Sequence, residues 1–311
     1  MSSELEELRR TVRDFCDREI RPTARARDRD EVYPEELIPG LAELGILGAT
    51  LPEEHGGAGL DVSAYRIIIE ELGAADSSIR SLVSVNLGLV GGSIVRWGTA
   101  EQHERWLPTL AAGGLGAFGL TEPGAGSNPS ELSSRAVADG DDWVIDGTKI
   151  FISNGTLGAV TMIFARAVVD GEDRGITCFL VPQDAEGYEG SQIHGKLGLR
   201  SGDTAEIVLD GVRVGPDAVL GEVGGGMKVA LSALDDGRFS LASGAVGLAR
   251  EALEVSVRYA SEREQFGVPI ASKQLVQELL AAMHVDVQAA AGWPRSTSAP
   301  RSAARTATPC W

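Results

Sequence analysis

The strongest constraint on the fold is a hydrophobic period that changes twice along the chain. Leu5, Leu8, Val12, Phe15 and Ile20 recur near helical spacing, and Pro34 opens another short helix that ends in ELGILG. After the turn LPEEHGGAGL, Asp61 is placed to cap a helix through IIIEELG. A small-residue apolar helix then runs to Trp97, and Thr99 caps EQHERWLPTL. From Ala117 the period shortens: GAFGLT, DDWVIDGTKIFISNG, AVTMIFARAV, GITCFLVP and TAEIVLDGVRV are β-branched and aromatic runs parted by Gly, Asp and Asn. It lengthens again in GGGMKVALSALDDGRFSLASGAVGLAREALEVSVRYASERE, read as one or two long helices, and in IASKQLVQELLAAMHVDVQAA. Helices, strands, helices is the order of an α+β protein, not of a Rossmann alternation. The expected parts are an N-terminal helical domain over 1–115, a middle antiparallel β domain over 116–220, and a C-terminal helical bundle over 221–291 that is incomplete.

The segment from Gly292 to Trp311 breaks with what precedes it, for it contains no Asp, Glu, Leu, Ile or Val. It reads either as a flexible low-complexity tail or as an out-of-frame translation replacing the genuine continuation of the helix. The second reading is preferred, because the apolar pattern stops without a cap or stop signal. A bundle cut short there leaves an apolar helix face exposed, with poor solubility as the expected result.

At 311 residues the chain is long enough for two or three layers and a buried cofactor. A net charge of −17 without a basic stripe argues against nucleic acid or an anionic membrane as a partner. Cys16, Cys178 and Cys310 are far apart in sequence, which points to a reducing compartment and to no disulfide framework. His55, His103, His194 and His284 show no pairing suited to a metal or a nucleophile. The start MSSELEELRR is charged and no apolar run is read as reaching membrane-spanning length, so the expected location is the cytoplasm.

The loop LTEPGAGS, Leu120 to Ser127, offers glycine freedom, a hydroxyl and backbone amides, a combination suited to holding phosphate in a backbone nest. By itself it also fits a plain glycine turn, and it does not match a dinucleotide GxGxxG fingerprint. Its companions are LPEEHGGAG at Leu51 to Gly59, DGTKIFISNG at Asp146 to Gly155, KLGLRSGDTAEIVLDGVRV at Lys196 to Val214, and SEREQFGVPIASKQ at Ser261 to Gln274. Together and in this order, they resemble the acyl-CoA dehydrogenase family, from the start of the chain to about Ala291.

That resemblance implies a helical domain, a middle β-barrel and a four-helix bundle, with FAD as cofactor. It implies that Phe118, Leu120 and Thr121 touch the isoalloxazine edge and Gly126 and Ser127 the pyrophosphate side. The FISN segment would supply Phe151 beside the ring, where the family usually has Trp, then Ile152, and Ser153 donating toward flavin N5. Arg263 and Gln274, with Phe266 nearby, would reach the FAD of a neighbouring subunit, making the protein a homo-oligomer. Asp235 and Arg238 would contact the acyl thioester and Ser127 its pantetheine, although a helix-surface ion pair explains LDDGR equally well. The implied substrate is an acyl-CoA and the implied electron acceptor an electron-transfer flavoprotein. The segment from Ser77 to Gly113 also resembles members acting on acyl carrier protein.

Family chemistry removes an α-proton with a carboxylate while the β-hydride passes to flavin. The segment that usually carries this Glu, resembling YEGTSEIQR, and the flavin-contacting HGGxGY stretch before it do not occur, and where a minority of members place the Glu the chain has Gly237. The catalytic base is therefore left unknown. The alternatives kept open are a flavin or thioester binder without dehydrogenation and a flavin monooxygenase of the same fold.

Overall fold

The computed structural model describes residues 2–297, of which 293–297 are described by backbone alone. Helix α1 (Ser3–Phe15) begins where the Ser2 hydroxyl accepts from the Leu5 N–H, and it buries Val12 and Phe15. A π-helical turn, Cys16–Ile20, carries it into α2 (Arg21–Asp30). After the short α3 (Ile38–Glu43), Asp61 caps α4 (Val62–Ala75) by accepting from the Ser63 and Ala64 N–H groups. Helix α5 (Ser77–Ser84) runs through a second π-helical stretch, Val85–Gly91, into α6 (Gly92–Trp97). Thr99 and Gln102 form a reciprocal capping box at the start of α7 (Ala100–Ala111).

The apolar stretch Ser77–Trp97 spans 21 residues and corrects one expectation from sequence, since by length and hydropathy it could cross a membrane. Of its most apolar window, 67% is buried inside the protein, where the stretch packs against β1 and α8, so it serves as a core element.

Eight strands follow: β1 (Gly116–Gly119), β2 (Arg135–Asp139), β3 (Asp142–Ser153), β4 (Val160–Val169), β5 (Glu172–Pro182), β6 (Tyr188–Gln192), β7 (Thr204–Val214) and β8 (Val219–Leu220). They form one sheet in the order β6-β7-β3-β2-β4-β5-β8, with β1 also on β4. The expectation of an antiparallel β-barrel is corrected here. The sheet is mixed, because β1 and β2 both run parallel to β4, and it is open, because β6 and β8 do not pair. The geometry has a functional consequence. β1 pairs with Val160–Ile163 and β2 with Arg166–Val168, so the chain between them, 120–134, is an excursion from the edge of β4.

Helix α8 (Gly226–Glu262) is one continuous element, not two. It packs closely on α4: a Cβ added to Gly247 would stand 1.9 Å from the Glu70 carbonyl oxygen, and one on Gly73 2.4 Å from that of Gly244. Glu70 and Glu71, both buried, are held by Arg9, Arg13, Arg66 and Arg250 from α1, α4 and α8. A small hairpin, β9 (Glu264–Gln265) and β10 (Val268–Pro269), leads to α9 (Gln274–Thr297). The helix thus continues past Gly292, where the tail was expected to begin; the rest of that segment, with Cys310, lies outside the described residues. Leu231, Leu241 and Leu248 on α8 and Leu275, Leu279 and Val285 on α9 are exposed.

Candidate functional site

The excursion 120–134 is fixed by a buried ion pair. The Glu122 carboxylate accepts from the N–H and hydroxyl of both Ser133 and Ser134, at 2.5 to 3.0 Å, and from Lys149 Nζ at 2.7 Å. Lys149, with 0% exposure, also donates to the Phe164 carbonyl oxygen at 2.6 Å. Burial alone would raise the Glu122 pKa; the hydrogen bonds from Lys149 and Ser134 outweigh it and hold the group well below the usual carboxylate range. Burial lowers the pKa of Lys149 against the pull of Glu122. One charge pair therefore ties the Glu122 turn of the excursion to β3 and β4, the strands beside it.

The far end of β3 is held differently. Phe151 (φ 62°) and Asn154 (φ 61°) adopt the left-handed region that non-glycine residues seldom occupy. The β3–β7 register slips between Lys149 and Ile152, so Phe151 leaves the ladder and stands 65% exposed. Such strain costs on the order of 1–3 kcal/mol and persists where the surroundings enforce it. Here Asn154 enforces it: its Nδ2 donates to the Gly116 carbonyl at 3.0 Å and its N–H to the Asp203 carbonyl at 3.0 Å.

Between these segments and the helices lies a cavity of about 440 Å³. Phe118, Leu120, Thr121, Gly126 and Ser127 line it from β1 and the excursion, and Phe151, Ile152 and Ser153 from β3. Arg238 lines it from α8, and Asp235 is attached to that wall through its ion pair with Arg238 at 2.5 Å. The structure does not bring Arg263, Phe266 or Gln274 to this cavity. They lie at the end of α8, in the hairpin and at the start of α9, and all three are exposed, Phe266 by 94%.

The cavity also has walls that sequence reasoning missed: Val85, Leu89, Pro129, Leu231 and Leu234. Four of these sit in helices with ordinary apolar spacing, so nothing in the sequence separates them from core positions. No carboxylate lines the cavity among the described residues. A Cβ on Gly237, where a minority of relatives was expected to carry Glu, would stand 2.9 Å from the end of Leu89, a wall residue.

Two observations show that the cavity offers polar groups and an accessible backbone to a ligand. The hydroxyls of Thr121, Ser127 and Ser153 line it without any hydrogen-bond partner among the described residues. A Cβ on Gly126, which lines the cavity, would meet nothing within 4 Å, so packing within the chain does not require glycine there and its backbone is open to close approach from the cavity.

Sequence comparison assigns the whole of this architecture. Residues 2–114 match the N-terminal domain of acyl-CoA dehydrogenases, 117–212 the middle domain and 224–306 the C-terminal domain. The chain belongs to the acyl-CoA dehydrogenase family. The mitochondrial short-chain specific acyl-CoA dehydrogenase of Mus musculus is 38% identical over 284 residues, 91% of this chain and 69% of that one. A glutaryl-CoA dehydrogenase from Mycobacterium smegmatis, solved in complex with FADH2, is 40% identical with a TM-score of 0.89, covering 96% of this chain and 77% of its own. Butyryl-CoA dehydrogenase from Megasphaera elsdenii is 34% identical with a TM-score of 0.91, over 96% and 79% of the two chains. Members of the acyl-CoA dehydrogenase family such as these are oxidoreductases.

Proposed function

We propose that this acyl-CoA dehydrogenase homologue holds FAD in the 440 Å³ cavity and takes part in α,β-dehydrogenation of an acyl-CoA. The observation that carries the reading is the set of unpartnered hydroxyls on Thr121, Ser127 and Ser153 beside the strained Phe151. FAD, when bound, supplies the hydride acceptor. Thr121 and Ser153 offer hydroxyl donors to its polar ring edge, Phe151 packs beside the ring, and the Gly126–Ser127 backbone accommodates the phosphates. The acyl tail runs away from this end between α5 and α8.

The packing of α5 on α8 beyond the cavity wall points to an acyl group with a charged end. The two helices are antiparallel, with Gly237 set against Leu89 in the cavity wall and Gly244 set against Arg80 further along. Arg80 is 8% exposed, lowered in pKa by burial, and makes no ion pair or side-chain hydrogen bond among the described residues. Beside it, Ser84, Ser240 and Tyr65 form a hydroxyl cluster, with Ser84 and Ser240 oxygens 2.6 Å apart. A buried, unpaired guanidinium is costly unless an anion meets it. Electrons would leave to an electron-transfer flavoprotein, and Arg263, Phe266 and Gln274 would serve a neighbouring subunit of a cytoplasmic homo-oligomer.

The direct test is anaerobic mixing of the FAD-loaded chain with glutaryl-CoA and butyryl-CoA. Bleaching of the flavin that favours glutaryl-CoA, and a loss of that preference in Arg80→Leu, is the expected result. Equal bleaching by both in the unaltered chain removes the role of Arg80. A second reading, binding of flavin and thioester without dehydrogenation, is favoured by the lack of a lining carboxylate. Under it the flavin stays yellow, and Gly237→Glu, which places a carboxylate at the cavity wall, raises the bleaching rate by about 10²-fold or more.

A further inference from the structure

Behind Ser153 lies a second, much smaller cavity of about 30 Å³, whose lining includes Ser153, Asp203 and Tyr33. Ser153 lines the large cavity as well, so the two cavities share one wall residue. Asp203 is 2% exposed. Its Oδ2 accepts from the Thr156 N–H at 2.8 Å and its carbonyl from the Asn154 N–H at 3.0 Å, so it grips the turn that follows Ser153. Its Oδ1 has no partner, and neither has the buried Tyr33 hydroxyl, although both residues line the same space. A buried carboxylate oxygen left without a donor costs several times what a made hydrogen bond contributes. No hydrogen bond joins Tyr33 to Asp203 across the cavity. The space suits one or two water molecules, and its polar walls supply the partners that a buried water needs.

We propose that this cavity is a site for an ordered water that accepts from the Tyr33 hydroxyl and donates to Asp203 Oδ1 and to Ser153 Oγ, and that Tyr33 and Asp203 thereby act as positioning residues for Ser153. Ser78, Ser81 and Thr204 line the cavity as well, and Ser153 is assigned the bond because it alone of these hydroxyl residues also lines the large cavity. A water has two hydrogens and two lone pairs; an ionised Asp203 only accepts, so one hydrogen goes to it. The Tyr33 O–H fills one lone pair, and the second hydrogen is left for Ser153 Oγ. With an oxygen lone pair so occupied, the Ser153 hydroxyl turns its own hydrogen into the large cavity. A serine hydroxyl otherwise rotates freely between donating and accepting. The water thus converts an ambiguous hydroxyl into a fixed donor facing the place where the proposed cofactor ring lies. This part of the inference rests on the flavin reading; the water site does not.

Two measurements on the full chain test it. A crystal structure must show water density within hydrogen-bond distance of Tyr33 Oη, Asp203 Oδ1 and Ser153 Oγ, and a dry cavity or a water missing any of the three overturns the proposal. Because the crystal need not contain FAD, this arm remains decisive even if the flavin reading fails. In the FAD-loaded protein, Tyr33→Phe and Ser153→Ala are each expected to make flavin reduction less favourable by about three- to tenfold in equilibrium constant, the range for one hydrogen bond. This is read as a negative shift of midpoint potential, with FAD affinity changed less than twofold by Tyr33→Phe. The double variant should shift no further than either single one, since both break the same chain of bonds. Additive shifts, or an unchanged potential in Tyr33→Phe, overturn the positioning role. Should Tyr33→Phe fail to fold, Asp203→Asn takes its place in the cycle, read by its coupling to Ser153→Ala and not by the sign of its own shift, because loss of its charge alone favours flavin reduction; additive shifts again overturn the positioning role.

Discussion

The excursion 120–134 and the α8–α9 end of the molecule solve the same problem in opposite ways. The excursion is a loop, rich in polar groups, yet its carboxylate and its lysine partner find every bond they need inside the chain. The α8–α9 end is regular helix, yet Leu275, Leu279 and Val285 stand 63–76% exposed. Regular secondary structure therefore does not identify where the buried charges of this protein are satisfied. Tracing the partners of each buried polar group and the cover over each apolar one does.

If the comparison is right, the sharpest way to break the first region is Lys149→Met. The substitution leaves Glu122 buried and negatively charged among hydroxyls, and the expected loss is ~3–5 kcal/mol of unfolding free energy, read by urea denaturation. Adding Glu122→Gln to it should recover part of that loss; no recovery would mean that the pair is not the coupled unit described.

Next in size is Gly247→Ala, where the new methyl would lie 1.9 Å from the Glu70 carbonyl. Separation of α4 from α8 should cost ~1–3 kcal/mol in the same assay. A neutral result would show that the helices slide apart freely.

Acid sharpens the contrast further. Glu122 has its pKa depressed in the folded state, so it binds a proton less readily than in the unfolded chain, and its stabilisation is present above the unfolded carboxylate value of ~4.3. That contribution is lost as the pH falls below this value toward the depressed one. The stability gap between the unaltered chain and Glu122→Gln should therefore narrow between about pH 6 and about pH 3, the span over which such a carboxylate titrates.

The smallest effect belongs to the exposed face. Leu279→Lys, on the 66% exposed Leu279, should change unfolding free energy by no more than ~0.5 kcal/mol while reducing self-association in sedimentation. A large destabilisation would show that this face is already packed within one chain.

Much of the candidate site was legible because its residues come in dense, ordered motifs. TEPGAGS and FISN mark Thr121, Ser127, Phe151 and Ser153, and these four meet at one cavity. Leu89 and Leu234 were not legible, because a leucine on a helix reads the same whether it faces a core or a cavity. Arg80 was equally silent. Its sequence neighbours mark a helix surface, and only the packing of α5 on α8 leaves the residue 8% exposed and without an ion pair among the described residues. Tyr33 and Asp203 lie 170 positions apart and share a cavity only through the docking of the N-terminal domain on the sheet.

By itself, the sequence determined the order of helices, sheet and helices, because hydrophobic period is a local property of the chain. It also determined the capping of α4 and α7, where Asp61 and Thr99 act within one turn. Only the tertiary structure decided that the sheet is mixed and open, since strand partners are chosen across tens of residues by packing. The same long-range packing decided which buried polar groups found partners and which, like Asp203 Oδ1, were left facing space.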